Sequence, residues 1–362
     1  MTKTSHTSKP TGIPNTSGSV EWQSPANIAL VKYWGKRPVQ WPMNPSLSFV
    51  LKESVVRIRM DYEIGADIDF HLRGFSLNGQ DNEAFAGRIE RYLSGLSTFF
   101  PFLRHARLSI HSHSSFPHSA GIASSAAAFS ALALCVGSIE ARMTGKEESG
   151  SEFLRKASFM ARLGSGSACR SLWGGMVIWG HTKWVAGSSD DHGYRLDEGA
   201  VHEDFRQLND AVLIVDSRTK KVSSSEGHAL MHTHPFREQR VEQAGHNMER
   251  ILGALRSGHM DLFGEVMENE ALSLHSLMMS STPGYILMHP NTILMIDRIR
   301  SFRQRTHIPA YFTLDAGPNI HLIYPASHKE AVRGFIVEEL SSLCEDGRWI
   351  DDRMGEGPVA LG

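Results

Sequence analysis

Positions 56–62 alternate: Val56, Ile58, Met60 and Tyr62 are apolar, while Arg57, Arg59 and Asp61 between them are polar. A period of two predicts a strand with one face buried. Upstream, residues 24–31 form a short apolar segment that ends in a basic, aromatic turn. A polar turn at 44–48 enters the strand. Asn78-Gly79 marks a reversal, 82–96 is expected to be helical, and 107–111 is a candidate strand. The stretch 116–134, FPHSAGIASSAAAFSALAL, opens on a Pro-led turn and becomes Ala-rich, so the run from Ala126 is expected to be helix. A second helix is expected over 151–163, interrupted by Gly164-Ser165-Gly166-Ser167, with a strand returning over 174–179. Farther on, 211–215 has the composition of a buried strand and 222–228 reads as a polar loop. Met248, Ile251, Leu252 and Leu255 keep helical spacing. Residues 312–324 read as strand, tight turn, strand, and 329–343 as the last helix. Strands and helices mix without a strict βαβ alternation, which predicts an α+β fold in two lobes. The borders expected are a disordered tail over 1–19, a first domain over 20–204 and a second over 205–362.

Composition narrows the function classes. The chain has 362 residues, 41% of them apolar, and a formal net charge of -2 without blocks of like charge. That argues against a nucleic-acid groove or an anionic membrane surface as partner. Cys135, Cys169 and Cys344 are odd in number and widely spaced, which fits neither a disulfide framework nor a CxxC metal site. The first twenty residues lack the apolar core of a secretory signal, and no run reads as the roughly 18 apolar residues of a membrane span. A cytoplasmic protein is expected.

Three stretches rich in small residues and hydroxyls carry candidate chemistry. In the first, Gly121 lets a ligand approach the backbone and Ser124 and Ser125 flank the helix start. This suits either an anion on the free N–H groups or an ordinary capped, buried helix. In the second, GSGSACRS at 164–171, Arg170 offers a planar fork for a phosphate or carboxylate beside Ser165 and Ser167, or else a structural ion pair. The third is 222–227. Asp315, on a sharp turn followed by Ala, Gly and Pro, can orient a substrate hydroxyl or simply form an Asx-type turn. Lys32 and Lys36 with Tyr33 form a cationic cluster of the kind usually found on solvated surface. His111, His113 and His118, or His232 and His234, would be metal pairs. No carboxylate stands at zinc-motif spacing, however, and most histidines are read as solvated or packed singly. Neither a Walker loop nor a dinucleotide fingerprint is present.

Taken in order, SPANIALVKYWGKR, FPHSAGIASSAAAF, ARLGSGSACRSLWGG and LDAGPN resemble the motifs of the GHMP kinase superfamily, and within it the diphosphomevalonate decarboxylases. The resemblance runs from Ser24 to about Tyr324. It implies a ribosomal-protein-S5-like first lobe, a ferredoxin-like second lobe and a site between them. It also implies ATP- and Mg2+-dependent conversion of 5-diphosphomevalonate to isopentenyl diphosphate, CO2, ADP and phosphate, by a homodimer. Carried over residue by residue, Asp315 is the catalytic aspartate, with Lys36, Ser167 and Arg170 beside it. Ser119, Ala120, Gly121, Ala123, Ser124 and Ser125 belong to the ATP phosphate loop, Ser124 also facing Mg2+ carried mainly by ATP. Tyr33, Trp34, Gly35 and Lys36, with Ser165, Gly166, Ser167, Ala168, Cys169 and Arg170, belong to the substrate site. Arg88 and Ser225 match a diphosphate-binding arginine and a substrate-contacting hydroxyl. The chain departs from the family pattern at Ile122, where Leu is usual, at His118, and over 41–44.

Overall fold

A computed structural model describes residues 13–116, 124–218 and 222–362. Along the chain run β1 (Thr16–Val31), the short pair β2 (Lys36–Arg37) and β3 (Trp41–Pro42), β4 (Ser46–Ile64), β5 (His71–Leu77), β6 (Gln80–Asp81), α1 (Glu83–Leu96), β7 (Ala106–Ser114), α2 (Ser124–Thr144) and α3 (Gly150–Gly164). They are followed by β8 (Met176–Trp179), β9 (Tyr194–Arg195), β10 (Leu208–Leu213), α4 (Ser224–Leu230), α5 (Arg237–Ser257), α6 (Met260–Ser280) and α7 (Pro290–Thr306). The chain closes with β11 (Tyr311–Thr313), β12 (Ile320–Pro325), α8 (Lys329–Phe335), β13 (Trp349–Arg353) and β14 (Val359–Ala360).

The first lobe is built on a sheet of order β14-β1-β4-β7-β5-β6, with β8 also on β4 and β9 on β8. The alternation at 56–62 lies in β4, whose Val56, Ile58, Met60 and Tyr62 are buried while Arg57 and Arg59 face out. The apolar segment 24–31 is the second half of β1. Its pairing with β4 shifts register near Pro25, where a ring without an N–H is tolerated at a bulge. Asn78 and Gly79 both adopt positive φ, 51° and 80°, giving the tight reversal into β6, and Asn82 caps α1 through the Phe85 N–H.

Against this sheet lies α2. By length and composition it is apolar enough to cross a bilayer, which corrects the expectation of no such run; yet 83% of the relevant window is buried inside the protein. Phe129, Leu132, Leu134, Val136 and Ile139 are fully buried, each contributing about 1.5–3 kcal/mol. Its hydroxyls find partners on β1: Trp22 Nε1 donates to Ser138 Oγ at 2.9 Å.

The second lobe is the antiparallel sheet β11-β12-β10-β13, with core side chains from α6, α7 and α8 packed on it. Further sequence expectations need correction. Residues 16–19 are not tail but strand, paired with 61–64 of β4, because that strand is long enough to give them backbone partners. The polar stretch 222–228 is the start of α4, capped by Ser223 and Glu226 in a reciprocal capping box. The end of the chain does not stay in the second lobe, since β14 pairs with β1.

Candidate active site

Asp315 follows β11 on a turn whose flanks, Phe312 and Leu314, are locked in the core. Its carboxylate accepts a hydrogen bond from Lys32 Nζ at 2.9 Å, and its carbonyl accepts one from His275 Nε2 at 3.0 Å. Lys32 stands just past β1 and is 1% exposed, not on the surface as the sequence suggested. Three side chains grip its peptide. The Lys32 N–H donates to Glu270 Oε2 (2.8 Å), and its carbonyl accepts from Asn44 Nδ2 (2.9 Å) and from Arg240 (3.1 Å). Arg240 and Glu270 form a buried pair at 2.6 Å. Burial lowers the Lys32 pKa, offset in part by Asp315. Burial alone would raise Glu270, but Arg240 and the Asn247 hydrogen bond hold it below the usual carboxylate range.

Arg170 sits on a short helical turn, Gly166–Arg170, directly after α3. Among the described residues no carboxylate pairs with it. Its guanidinium donates to Asn27 Oδ1 (3.2 Å from Nη2) and to Ser46 Oγ, both neutral. Asn27 is fixed in turn by donating to the Ser167 carbonyl at 3.1 Å and to Ser171 Oγ at 2.8 Å. A buried guanidinium held by neutral acceptors keeps its charge for an anion, and Arg170 lines the same cleft as Asp315 and Lys32.

That cleft encloses about 400 Å³. It brings together Tyr33, Trp34, Lys36, Arg88, Ser124, Ser125, Ser165, Ser167, Arg170, Ser225 and Asp315 from the residues singled out in the sequence. Ser125 Oγ and Ser165 Oγ touch at 3.2 Å, joining the start of α2 to the end of α3. Arg88 lies over the Phe129 ring at 4.6 Å. Burial, with Arg88 nearby, lowers the Lys36 pKa.

Four of the expected ligands do not line the cleft. Ala168 and Cys169 are fully buried behind the turn, and burial pushes the Cys169 thiol up to about 12, so it is no nucleophile. Gly166 serves packing: a Cβ there would come within 2.7 Å of Trp179 and 2.8 Å of the Tyr33 hydroxyl. Gly35 serves a turn of φ 85°, in which a Cβ would meet Met43 Sδ at 2.5 Å. Ser119, Ala120, Gly121 and Ala123 lie outside the described residues. Among the described residues no group of three His, Cys, Asp or Glu side chains is placed to hold a metal ion.

Sequence reasoning missed Asn27 and His228, and it noticed Lys32 only as part of a surface cluster. His228 lines the cleft from α4, its ring between Tyr33 and Trp34 at centroid distances of 4.3 and 4.6 Å. The polar Asn27 within an otherwise apolar strand was the available signal for one of them.

Comparison with known proteins gives a consistent answer. Residues 24–191 match the family described as diphosphomevalonate decarboxylase-like N-terminal domain, and 211–352 match the mevalonate 5-diphosphate decarboxylase C-terminal domain. The chain is 31% identical over 337 residues to the diphosphomevalonate decarboxylase of Saccharomyces cerevisiae, covering 88% of this chain and 81% of that one. A solved structure of MDDEF in complex with MVAPP, AMPPCP and magnesium is 25% identical with a TM-score of 0.79, covering 96% of this chain and 99% of the other. The mevalonate diphosphate decarboxylase of Legionella pneumophila is 26% identical with a TM-score of 0.77, covering 91% and 99%.

Proposed function

The chain belongs to the diphosphomevalonate decarboxylase family, and on that premise we propose that it converts 5-diphosphomevalonate and ATP to isopentenyl diphosphate, CO2, ADP and phosphate. One observation carries the assignment of roles. The Asp315 carboxylate, held by Lys32 at 2.9 Å, shares a cleft with Arg170, Lys36 and Arg88.

The substrate has a carboxylate at C1, a tertiary hydroxyl at C3 and a diphosphate at C5. Asp315 orients the C3 hydroxyl and takes its proton as that oxygen attacks the γ-phosphorus of ATP, and the bond to ADP breaks. Lys32 fixes the direction of the Asp315 carboxylate. The C3 oxygen, now phosphorylated, leaves as phosphate with its bonding pair. The C1–C2 bond then breaks, CO2 departs, and the electron pair of the C1–C2 bond becomes the second bond between C2 and C3. The Arg170 fork holds the C1 carboxylate until it leaves, while Lys36, Arg88 and Ser225 hold the diphosphate. Ser124 and Ser125, at the start of α2, face the phosphates of ATP, where the helix dipole favours negative charge. Mg2+ fits this donor set as a partner of ATP's own phosphates, with the Ser124 hydroxyl beside it, and would supply charge neutralisation there. The same reading takes the protein as a cytoplasmic homodimer; sizing chromatography at micromolar concentration tests the dimer.

The test is a substrate panel. With ATP, Mg2+ and 5-diphosphomevalonate, ADP and isopentenyl diphosphate should both form. ADP without alkene leaves only a kinase. No ADP from this substrate, but turnover of mevalonate 5-phosphate or 3,5-bisphosphate, moves the substrate. Asp315→Asn should lose about 10²–10⁴ in kcat with much smaller change in substrate binding.

A further inference from the structure

Helix α4 places His228 one turn after Ser225, on the face turned to the cleft. The Gly35 N–H lies 2.9 Å from His228 Nδ1. A backbone amide only donates, so Nδ1 is an acceptor and the ring proton sits on Nε2. The flanking Tyr33 and Trp34 rings, each tilted 36° to the imidazole, hold that orientation. Nε2 has no hydrogen-bond partner among the described residues, yet it is not one of the sealed, unsatisfied buried atoms, and the residue lines the cleft. Burial and the nearby Lys36 charge pull the His228 pKa down to about 3, so the ring is neutral in the working range. The result is a neutral N–H donor, fixed in direction, on the wall that also carries the Lys36 ammonium.

We propose that His228 binds the substrate directly, its Nε2–H donating to a phosphate oxygen of the diphosphate held by Lys36. This rests on the decarboxylase reading and adds to it a recognition residue that the motifs do not contain. The pairing has a physical logic. A third cation beside Lys36 and Arg88 would repel both, whereas a neutral donor adds a hydrogen bond to the anion without charge repulsion in the empty site.

Two substitutions separate the two ring nitrogens. His228→Asn keeps an acceptor near Nδ1 for the Gly35 N–H and removes the Nε2 donor. His228→Gln reaches the Nε2 position with an amide N–H and gives up the Nδ1 acceptor. Binding of 5-diphosphomevalonate alone is measured by calorimetry, with KM and kcat alongside. The expected result is a loss of about 10- to 100-fold in substrate affinity for H228N, the scale of one hydrogen bond to a charged group. H228Q should stay within about threefold of the wild type, with the KM for ATP unchanged in both. Retained affinity in H228N overturns the proposal, as does an equal loss in both variants, which would mean packing. Affinity kept in H228N and lost in H228Q would assign the role to Gly35 alone and also overturn it. Should H228N not fold, H228Q against His228→Met gives the same comparison, since both lack the acceptor and only Gln has the donor. A wild-type protein that neither binds nor turns over 5-diphosphomevalonate sinks the parent reading instead.

Discussion

At the scale of single residues, the site is a set of charges whose surroundings decide what each can do. Lys32 and Arg170 are both buried, but Lys32 pairs directly with Asp315, whereas among the described residues the Arg170 guanidinium donates to the neutral Asn27 and Ser46. The sequence marked Arg170 and Asp315 as candidates among small residues, with a structural alternative open for each. It hid the burial of Lys32, because the partners that hold it, Glu270 and Asp315, are 238 and 283 positions downstream. A local window cannot contain that information. His228 gives a pH test. Unfolded, a histidine holds its proton below about 6.5, whereas folded His228 stays neutral down to about 3. Between those values the unfolded chain binds more protons, so stability falls as pH drops, by up to about 1.4 kcal/mol per pH unit from this residue. Denaturant unfolding between pH 6.5 and 4 should therefore show a shallower pH slope for H228N than for the wild type. Parallel curves would mean that His228 is not held neutral.

At the scale of elements, β1, α5 and α6 meet at one buried pair. Arg240 from α5 and Glu270 from α6 pair with each other and with the peptide of Lys32, so two helices of the second lobe set where a first-lobe lysine points. Arg240→Met leaves Glu270 buried without its main counter-charge, and urea titration should show a loss of about 3–5 kcal/mol. The same helices show why part of the fold was hard to read. In α6 the inward face carries Glu268, Glu270 and His275, which break the apolar stripe that announces a helix. Helix α4 is seven residues long with almost no apolar spacing, so its stretch read as a loop. The Ser223 to Glu226 capping-box spacing was the legible sign. By contrast the 56–62 part of β4 and the Ala-rich part of α2 were plain, since each keeps one regular pattern of burial.

At the scale of the whole molecule, the two sheets are stitched together, and the cleft lies where their elements converge. Asp352 in β13 is 1% exposed, and its carboxylate accepts the backbone N–H groups of Lys52, Glu53 and Ser54 in β4 at 2.8–2.9 Å. Asp352→Ala would orphan these donors, and the cost should be about 3 kcal/mol or more. Denaturation followed by probes in each lobe should then show transitions that no longer coincide. This cross-lobe tie was not visible in the sequence, where 205–362 read as a self-contained second domain. The order of the four motifs was visible, and the structure brings side chains from each of them to one cleft. The most direct test of the whole account is product stoichiometry in that cleft. With 5-diphosphomevalonate, ATP and Mg2+, the wild type should release isopentenyl diphosphate and ADP in equal amounts, and Asp315→Asn should slow both together. ADP that accumulates without alkene, or an Asp315→Asn enzyme as fast as the wild type, would contradict it.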